Sequence, residues 1–213
     1  MITIQSFTFS PFQENTYILA DDKGSAIIID PGMYFTAEKE RMEQEIMRKG
    51  WEVEKIVNTH CHIDHIFSVE WAHHKYGVNI AIHPDEKKLL DNGTEMAEKF
   101  GLSFEKYTGL IEFFKEGNSI QVGDETLVVI EAPGHSPGGV CFYNPAQKIL
   151  IAGDVLFKES IGRTDLPGGN HEQLISNIQN KIYTLPDDVV VYAGHGPSTT
   201  IGHEKKNNPF VQA

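Results

Sequence analysis

The chain has 213 residues, 40% of them hydrophobic and 23% charged, which excludes a disordered or fibrous chain and suits one globular domain spanning 1–213. Lys plus Arg is 18 and Asp plus Glu is 30, so the net charge is −12, opposite in sign to what a phosphate backbone attracts, and no nucleic acid partner is expected. No apolar run has the length of a membrane span, and two cysteines, Cys61 and Cys141, make no disulfide framework, so the expected setting is cytoplasmic.

Residues 2–9 alternate apolar and polar like a strand. A second run covers 15–20, and Asp21-Asp22-Lys23-Gly24 turns into a β-branched run over 25–29 that stops at Asp30-Pro31-Gly32. Met42, Ile46 and Met47 at helical spacing predict a helix over 36–49. Residues 55–58 read as a short strand running into a histidine cluster. A helix over 66–76, ended by Gly77, and a strand over 79–82 follow. Residues 84–116 lack strand alternation and are broken by Gly93, Gly101 and Gly109, so they read as short helices. Their place between two ligand-bearing segments predicts that they form part of a pocket rim. Strands over 126–130, 139–143, 148–152 and 188–193 complete the pattern, with a helix over 171–183. The sum is a mixed α/β chain with two sheets and outer helices.

Apolar runs repeatedly end in a small residue and then a His or Asp: Asp30, the cluster at 60–65, His135, Asp154 and His195. Strand ends are rigid, and Gly or Pro turns let such ends converge on one point. The cluster reads Thr59-His60-Cys61-His62-Ile63-Asp64-His65, an H-x-H-x-D-H pattern. Imidazole and carboxylate suit zinc, and also iron or manganese. One motif cannot complete two metal sites; His135, Asp154 and His195 supply the missing donors. Asp154 offers one oxygen to each of two cations. Cys61 lies between the two histidines in an extended loop, so it faces away from them and reads as structural. Cys141 reads as core. His73, His74, His83, His171 and His203 lie outside the pattern and read as surface or structural.

These motifs resemble the metallo-β-lactamase superfamily, and within it the glyoxalase II (hydroxyacylglutathione hydrolase-like) type. The likeness rests on Asp30 in Ile-Ile-Asp-Pro-Gly, the His60–His65 block, His135 in Gly-His-Ser-Pro-Gly, Asp154 in Ala-Gly-Asp and His195 in Gly-His-Gly. The resemblance implies a four-layer αββα sandwich with the site at one edge of the sheets. It implies that His60, His62 and His135 hold one divalent cation and Asp64, His65 and His195 a second, with Asp154 bridging. Asp30 would orient the ligand loop, and Arg163 in Gly162-Arg163-Thr164-Asp165 would contact substrate or else pair with Asp165. The chain resembles the short class without a C-terminal helical domain.

The expected reaction is hydrolysis of a thioester such as S-lactoylglutathione by a hydroxide shared between two metals, with Asp64 and Asp154 as catalytic carboxylates. Zinc is the first choice of metal. The alternative is a persulfide dioxygenase-like oxidoreductase with one iron on His60, His135 and Asp154. That group shares Asn-Thr-His-Cys-His, as at 58–62, and Gly-Arg-Thr-Asp, as at 162–165.

Overall fold

Alternation in the first residues lays down the first sheet. In the computed structural model, which describes residues 1–212, β1 (Thr3–Phe9) pairs antiparallel with β2 (Glu14–Ala20), and β2 with β3 (Ser25–Ile29). Helix α1 (Thr36–Lys49) then crosses over to β4 (Glu52–Val57), parallel to β3. Two short helices, α2 (Ile63–Ile66) and α3 (Val69–Tyr76), lead to β5 (Ile80–Ile82). A 3-10 turn at Pro84–Glu86, α4 (Lys87–Asp91) and α5 (Gly93–Lys99) precede β6 (Ile111–Phe113), which closes a six-stranded sheet in simple chain order.

The second sheet is built from β7 (Ser119–Val122), β8 (Glu125–Glu131), β9 (Val140–Asn144) and β10 (Ile149–Gly153). A two-stranded ribbon, β11 (Leu156–Phe157) and β12 (Ser160–Ile161), follows it. Helix α6 (His171–Asn177) runs on into a π turn at Ile178–Ile182. Then come β13 (Val190–Ala193), β14 (Thr199–Thr200) and α7 (Ile201–Asn207). The sheet order is β14-β13-β10-β9-β8-β7, with β13 parallel to β10.

Successive strand residues face opposite sides, so a strand buried on both faces needs an unbroken apolar run. Strands β2 and β3 have one. Tyr17, Leu19, Ile27 and Ile29 face inward onto Leu127, Val129, Phe142 and Ile151 of the second sheet. Ile18 and Ile28 face outward onto Met42 and Ile46 of α1. Cys141, Leu150 and Val191 likewise face Leu174, Ile178 and Ile201 on the far side. The result is the αββα sandwich with three apolar layers between four structural ones. Each fully buried Ile or Leu contributes roughly 1.5–3 kcal/mol through burial. An Asp at Ile28 would place an unpaired carboxylate in this core.

Several boundaries differ from the sequence pattern. The helix expected from 66 starts at Ile63 and breaks at Phe67–Ser68, where the Ser68 hydroxyl donates to the Met33 carbonyl. Asp64 and His65 therefore ride on α2 rather than on a loop. The break expected at Gly93 falls between α4 and α5; Gly93 opens α5, where the Phe104 ring packs so close that a Cβ would meet it at 2.4 Å. The helix over 171–183 changes to π geometry after Asn177. Strands β6, β7 and β14 and helix α7 carry too few apolar residues to stand out alone. Both cysteines are buried and free. Among the described residues no helix is long and apolar enough to cross a membrane.

Candidate metal centre

Each donor sits at the end of a strand or one turn beyond it. His60 and His62 follow β4, and Asp64 and His65 begin α2. His135 follows β8, Asp154 follows β10 and His195 follows β13. The donor atoms of His60, His62 and His135 lie within 4.8 Å of one another, as do those of Asp64, His65 and His195. Asp154 stands between the groups. Its Oδ1 is 3.5 Å from His65 Nε2, and its Oδ2 is 3.4 Å from His135 Nε2 and 3.6 Å from His195 Nε2. His195 Nε2 is 3.2 Å from Asp64 Oδ2.

Neighbours outside the cluster fix which ring nitrogen faces in. His135 Nδ1 donates to the Arg163 carbonyl at 2.7 Å, and His195 Nδ1 to the Gln13 carbonyl at 3.2 Å. His65 Nδ1 donates to Asp30 Oδ2 at 3.0 Å. The Thr59 hydroxyl donates to Asp30 Oδ2 at 2.6 Å, so it accepts from His60 Nδ1 at 3.0 Å. Four imidazoles thus carry Nδ1–H and turn Nε2 toward a common point, the arrangement metal-binding histidines use. His62 turns Nδ1 inward and donates to His135 Nε2 at 2.8 Å; loss of that proton frees both nitrogens for a shared cation.

Asp30 is close to His60 and His65, but its oxygens are committed. Oδ1 accepts from the Thr59 amide at 2.7 Å, and Oδ2 from Thr59 Oγ1 and His65 Nδ1. It is a hydrogen-bond hub beneath the ligand loop, held in the left-handed region at φ 52°.

Burial and charge act differently on the two groups. Burial and the neighbouring imidazoles hold His60 well below its ordinary pKa, and His62 is pushed down to about 4. Burial also lowers His135. For His65, burial works downward, but Asp154, Asp64 and Asp30 outweigh it and raise the ring well above the usual value. His195 is raised too, by Asp64 and Asp154 against burial. Burial works to raise Asp64 and Asp154, yet the surrounding imidazoles outweigh it and keep both below the ordinary carboxylate range.

His60 Nε2, His65 Nε2 and Asp154 Oδ1 are buried with no hydrogen-bond partner. Leaving one buried polar atom unmet costs about 1–3 kcal/mol. Three such atoms facing one point fit divalent cations, and imidazole with carboxylate is the donor chemistry of zinc, iron and manganese.

Supporting residues outside the sequence motifs hold this arrangement. Glu86, from the 3-10 turn, accepts from the Cys61 amide at 2.7 Å and the Gly138 amide at 2.6 Å, tying the His60–His62 loop to the His135 loop. Burial raises its carboxyl. Asn15 on β2 donates to the carbonyls of Ala193 and Gly196 at 3.0 and 2.8 Å and so pins the loop of His195. Glu14 lies fully buried 4.0 Å from His65 Nδ1. Burial raises its carboxyl well above the usual range. Glu86 reads from sequence as an ordinary acidic helix start, and Asn15 and Glu14 as strand residues; only the tertiary contacts reveal them. At Gly194 a Cβ would lie 2.1 Å from Asp154 Oδ1, so the glycine before His195 permits the close approach of the two strand ends.

Cys61 is buried in the outer core and turned from the donors, as its alternation predicts. A cleft of about 390 Å³ opens over His62, Asp64, His135, Asp154 and His195. Leu89, Met96 and Phe100 line it, so the 84–116 segment does contribute to the rim. Arg163 lines it too, with its guanidinium forked onto Asp165 at 2.7 Å for both contacts.

Comparison with known proteins gives the family and supports the fold. The sequence profile of the metallo-beta-lactamase superfamily matches residues 9–195. The hydroxyacylglutathione hydrolase GloC of Haemophilus influenzae is 36% identical over 214 residues, covering 100% of this chain and 99% of that protein. Among solved structures, the BLEG-1 B3 metallo-beta-lactamase superimposes with a TM-score of 0.90 at 35% identity, covering 99% of this chain and 100% of that one. TTHA1623 in a di-iron-bound form gives 0.88 at 33%, covering 97% and 100%. On fold, motifs and similarity along its whole length, the chain belongs to the metallo-β-lactamase superfamily.

Proposed function

We propose that the chain is a dinuclear metal-dependent hydrolase of thioesters, built as one domain over 1–213 and working in the cytoplasm. The observation that carries the reading is the pair of three-donor groups joined by Asp154. His60, His62 and His135 would hold one cation, Asp64, His65 and His195 the other, and Asp154 would belong to both. Zinc is the first choice, with iron or manganese also suited to the donors. The two free buried cysteines support a reducing compartment.

Bound divalent cations supply an acidified water and a polarised carbonyl. The chain supplies the rest. Asp64 and Asp154 stay ionised at neutral pH, so besides holding cations they would orient the attacking water by accepting hydrogen bonds from it. The water oxygen forms the new C–O bond, the C–S bond breaks, and the electron pair leaves on sulfur. A thiol pKa near 8.5 lets sulfur depart with little protonation, so no separate acid is required. Asp30 and Glu86 hold the loops that carry the donors. Arg163 is the polar contact of the cleft wall for the carrier. Its fork to Asp165 is exposed, so water screens the pair and a substrate group can exchange for Asp165.

The similarity to GloC supports S-lactoylglutathione as the first substrate to test. The dioxygenase alternative needs only His60, His135 and Asp154. It leaves no task for the convergence of Asp64, His65 and His195.

The test is one metal-defined preparation followed for S-lactoylglutathione loss and for oxygen uptake with glutathione persulfide. Two metals per chain and thioester loss that vanishes in Asp154→Ala are expected. Oxygen uptake with one iron per chain and an inert thioester would overturn the reading.

A further inference from the structure

The cleft has walls that the metal chemistry does not require. At about 390 Å³ it lies in the size range of small-molecule sites. Phe12, Met96 and Phe100, and from the second half of the chain Phe157, Ile161 and Leu166, line it. Phe12 and Phe100 meet edge to face with centroids 5.2 Å apart, and the Phe157 ring lies 6.2 Å from that of His195. The apolar surface therefore begins beside a candidate ligand and runs outward. Phe100 remains 52% exposed. A large apolar side chain left open in a concave site gains by being covered.

Charge on the walls is already matched. Arg163 is forked onto Asp165. Where the cleft continues past Met96, Lys88 and Lys99 stand in one groove with Asp85 and Glu95, which balances them. A long alkyl chain finds apolar contacts along these walls, whereas the short lactoyl group reaches few of them.

We infer that the cleft binds a straight apolar acyl chain of about four to eight carbons, so that the site selects alkanoyl thioesters over 2-hydroxyacyl ones such as lactoyl. This rests on the thioesterase reading above and specifies its substrate class. The reacting bonds are those already given: C–O to water forms, C–S breaks, and the alkanoate and thiol depart.

Two measurements on metal-loaded protein test it. Turnover is followed with S-acyl-N-acetylcysteamine thioesters from acetyl to decanoyl, and S-hexanoylglutathione is compared with S-lactoylglutathione on one carrier. Free alkanoates from butanoate to decanoate are titrated by calorimetry, which reads binding without chemistry. Both kcat/KM and affinity should rise about two- to fourfold per methylene until the cleft is filled. Phe100→Ser, at a side chain outside the core, should flatten that rise, and Leu166→Ser, at a second lining residue, should do the same. A flat series in protein that still hydrolyses thioesters overturns the inference and leaves the thioesterase reading intact. So does a higher kcat/KM for the lactoyl than for the hexanoyl compound. Chain-length-dependent alkanoate binding without turnover of any thioester supports the apolar cleft and sinks the thioesterase reading instead.

Discussion

The two donor groups differ in charge and in how far one member reaches toward solvent. His60, His62 and His135 are all imidazoles, 2%, 8% and 5% exposed. The other group mixes a carboxylate with two imidazoles; its His65 is fully buried, while its His195 side chain is 28% exposed toward the cleft. In the first group burial favours neutral rings ready to donate a lone pair. In the second, carboxylates hold protons on the rings that a cation must displace. The lesson is that the all-imidazole group is set by desolvation and the mixed group by charge, although strand ends deliver both.

Unequal effects from equivalent deletions would sharpen this contrast most. His60→Ala leaves a buried gap that water enters poorly, so kcat/KM should fall about 10³-fold or more. His195→Ala opens onto the cleft, where water can take the vacated position, and the loss should be nearer about 10²-fold with partial rescue by added imidazole. Equal losses in the two variants would break the comparison. Stepwise chelation followed by elemental analysis should remove the cation of the His195 group first.

Next comes Asp30→Asn. Asn tolerates the left-handed backbone, but its amide turns donors toward the donors of Thr59 and His65. Urea unfolding of the metal-free protein should show a loss of about 1–3 kcal/mol. Glu86→Gln keeps one acceptor and loses the other at Cys61 or Gly138, so a smaller loss of about 1–2 kcal/mol is expected from the same measurement.

The smallest effect is a pH signature of the metal-free protein. By NMR, His62 should titrate near 4, while His65 and His195 titrate above the ordinary imidazole value. The raised pair contributes stability that is complete below the unfolded pKa of about 6.5 and is lost as pH rises through the folded values. The lowered rings act oppositely, favouring the fold above about 6.5 and losing that contribution as pH falls. Titration of all five on one side of that value would erase the distinction.

Much of this was legible in the chain because the ligand types are rare and sit at rigid strand ends. His60, His62, Asp64, His65, His135, Asp154 and His195 converge as the motif spacing suggests. Helix α1 follows from Met42 and Ile46, with Gly50 capping it in the left-handed conformation. Glu86 and Asn15 were not legible, because their roles are to hold backbone groups far away in sequence. The short edge strands β6 and β14 were missed since pairing, not composition, defines them. The apolar cleft was equally hidden: Phe12, Phe100 and Phe157 share no local pattern, and three separate segments bring them together.

The hydrogen bonds from Asn15 and the Tyr17 hydroxyl to the Ala193 carbonyl join the second strand of the chain to one of its last. Synthesis runs from the N-terminus, and the early segments can begin to fold first. A growing polypeptide that has emerged through His135 holds the three imidazoles of the first group, with Asp64 and His65 of the second, but neither Asp154 nor His195. Full metal acquisition must therefore wait until the late strands have docked. A ribosome-stalled intermediate would take up a cation weakly, at the His60, His62 and His135 group alone.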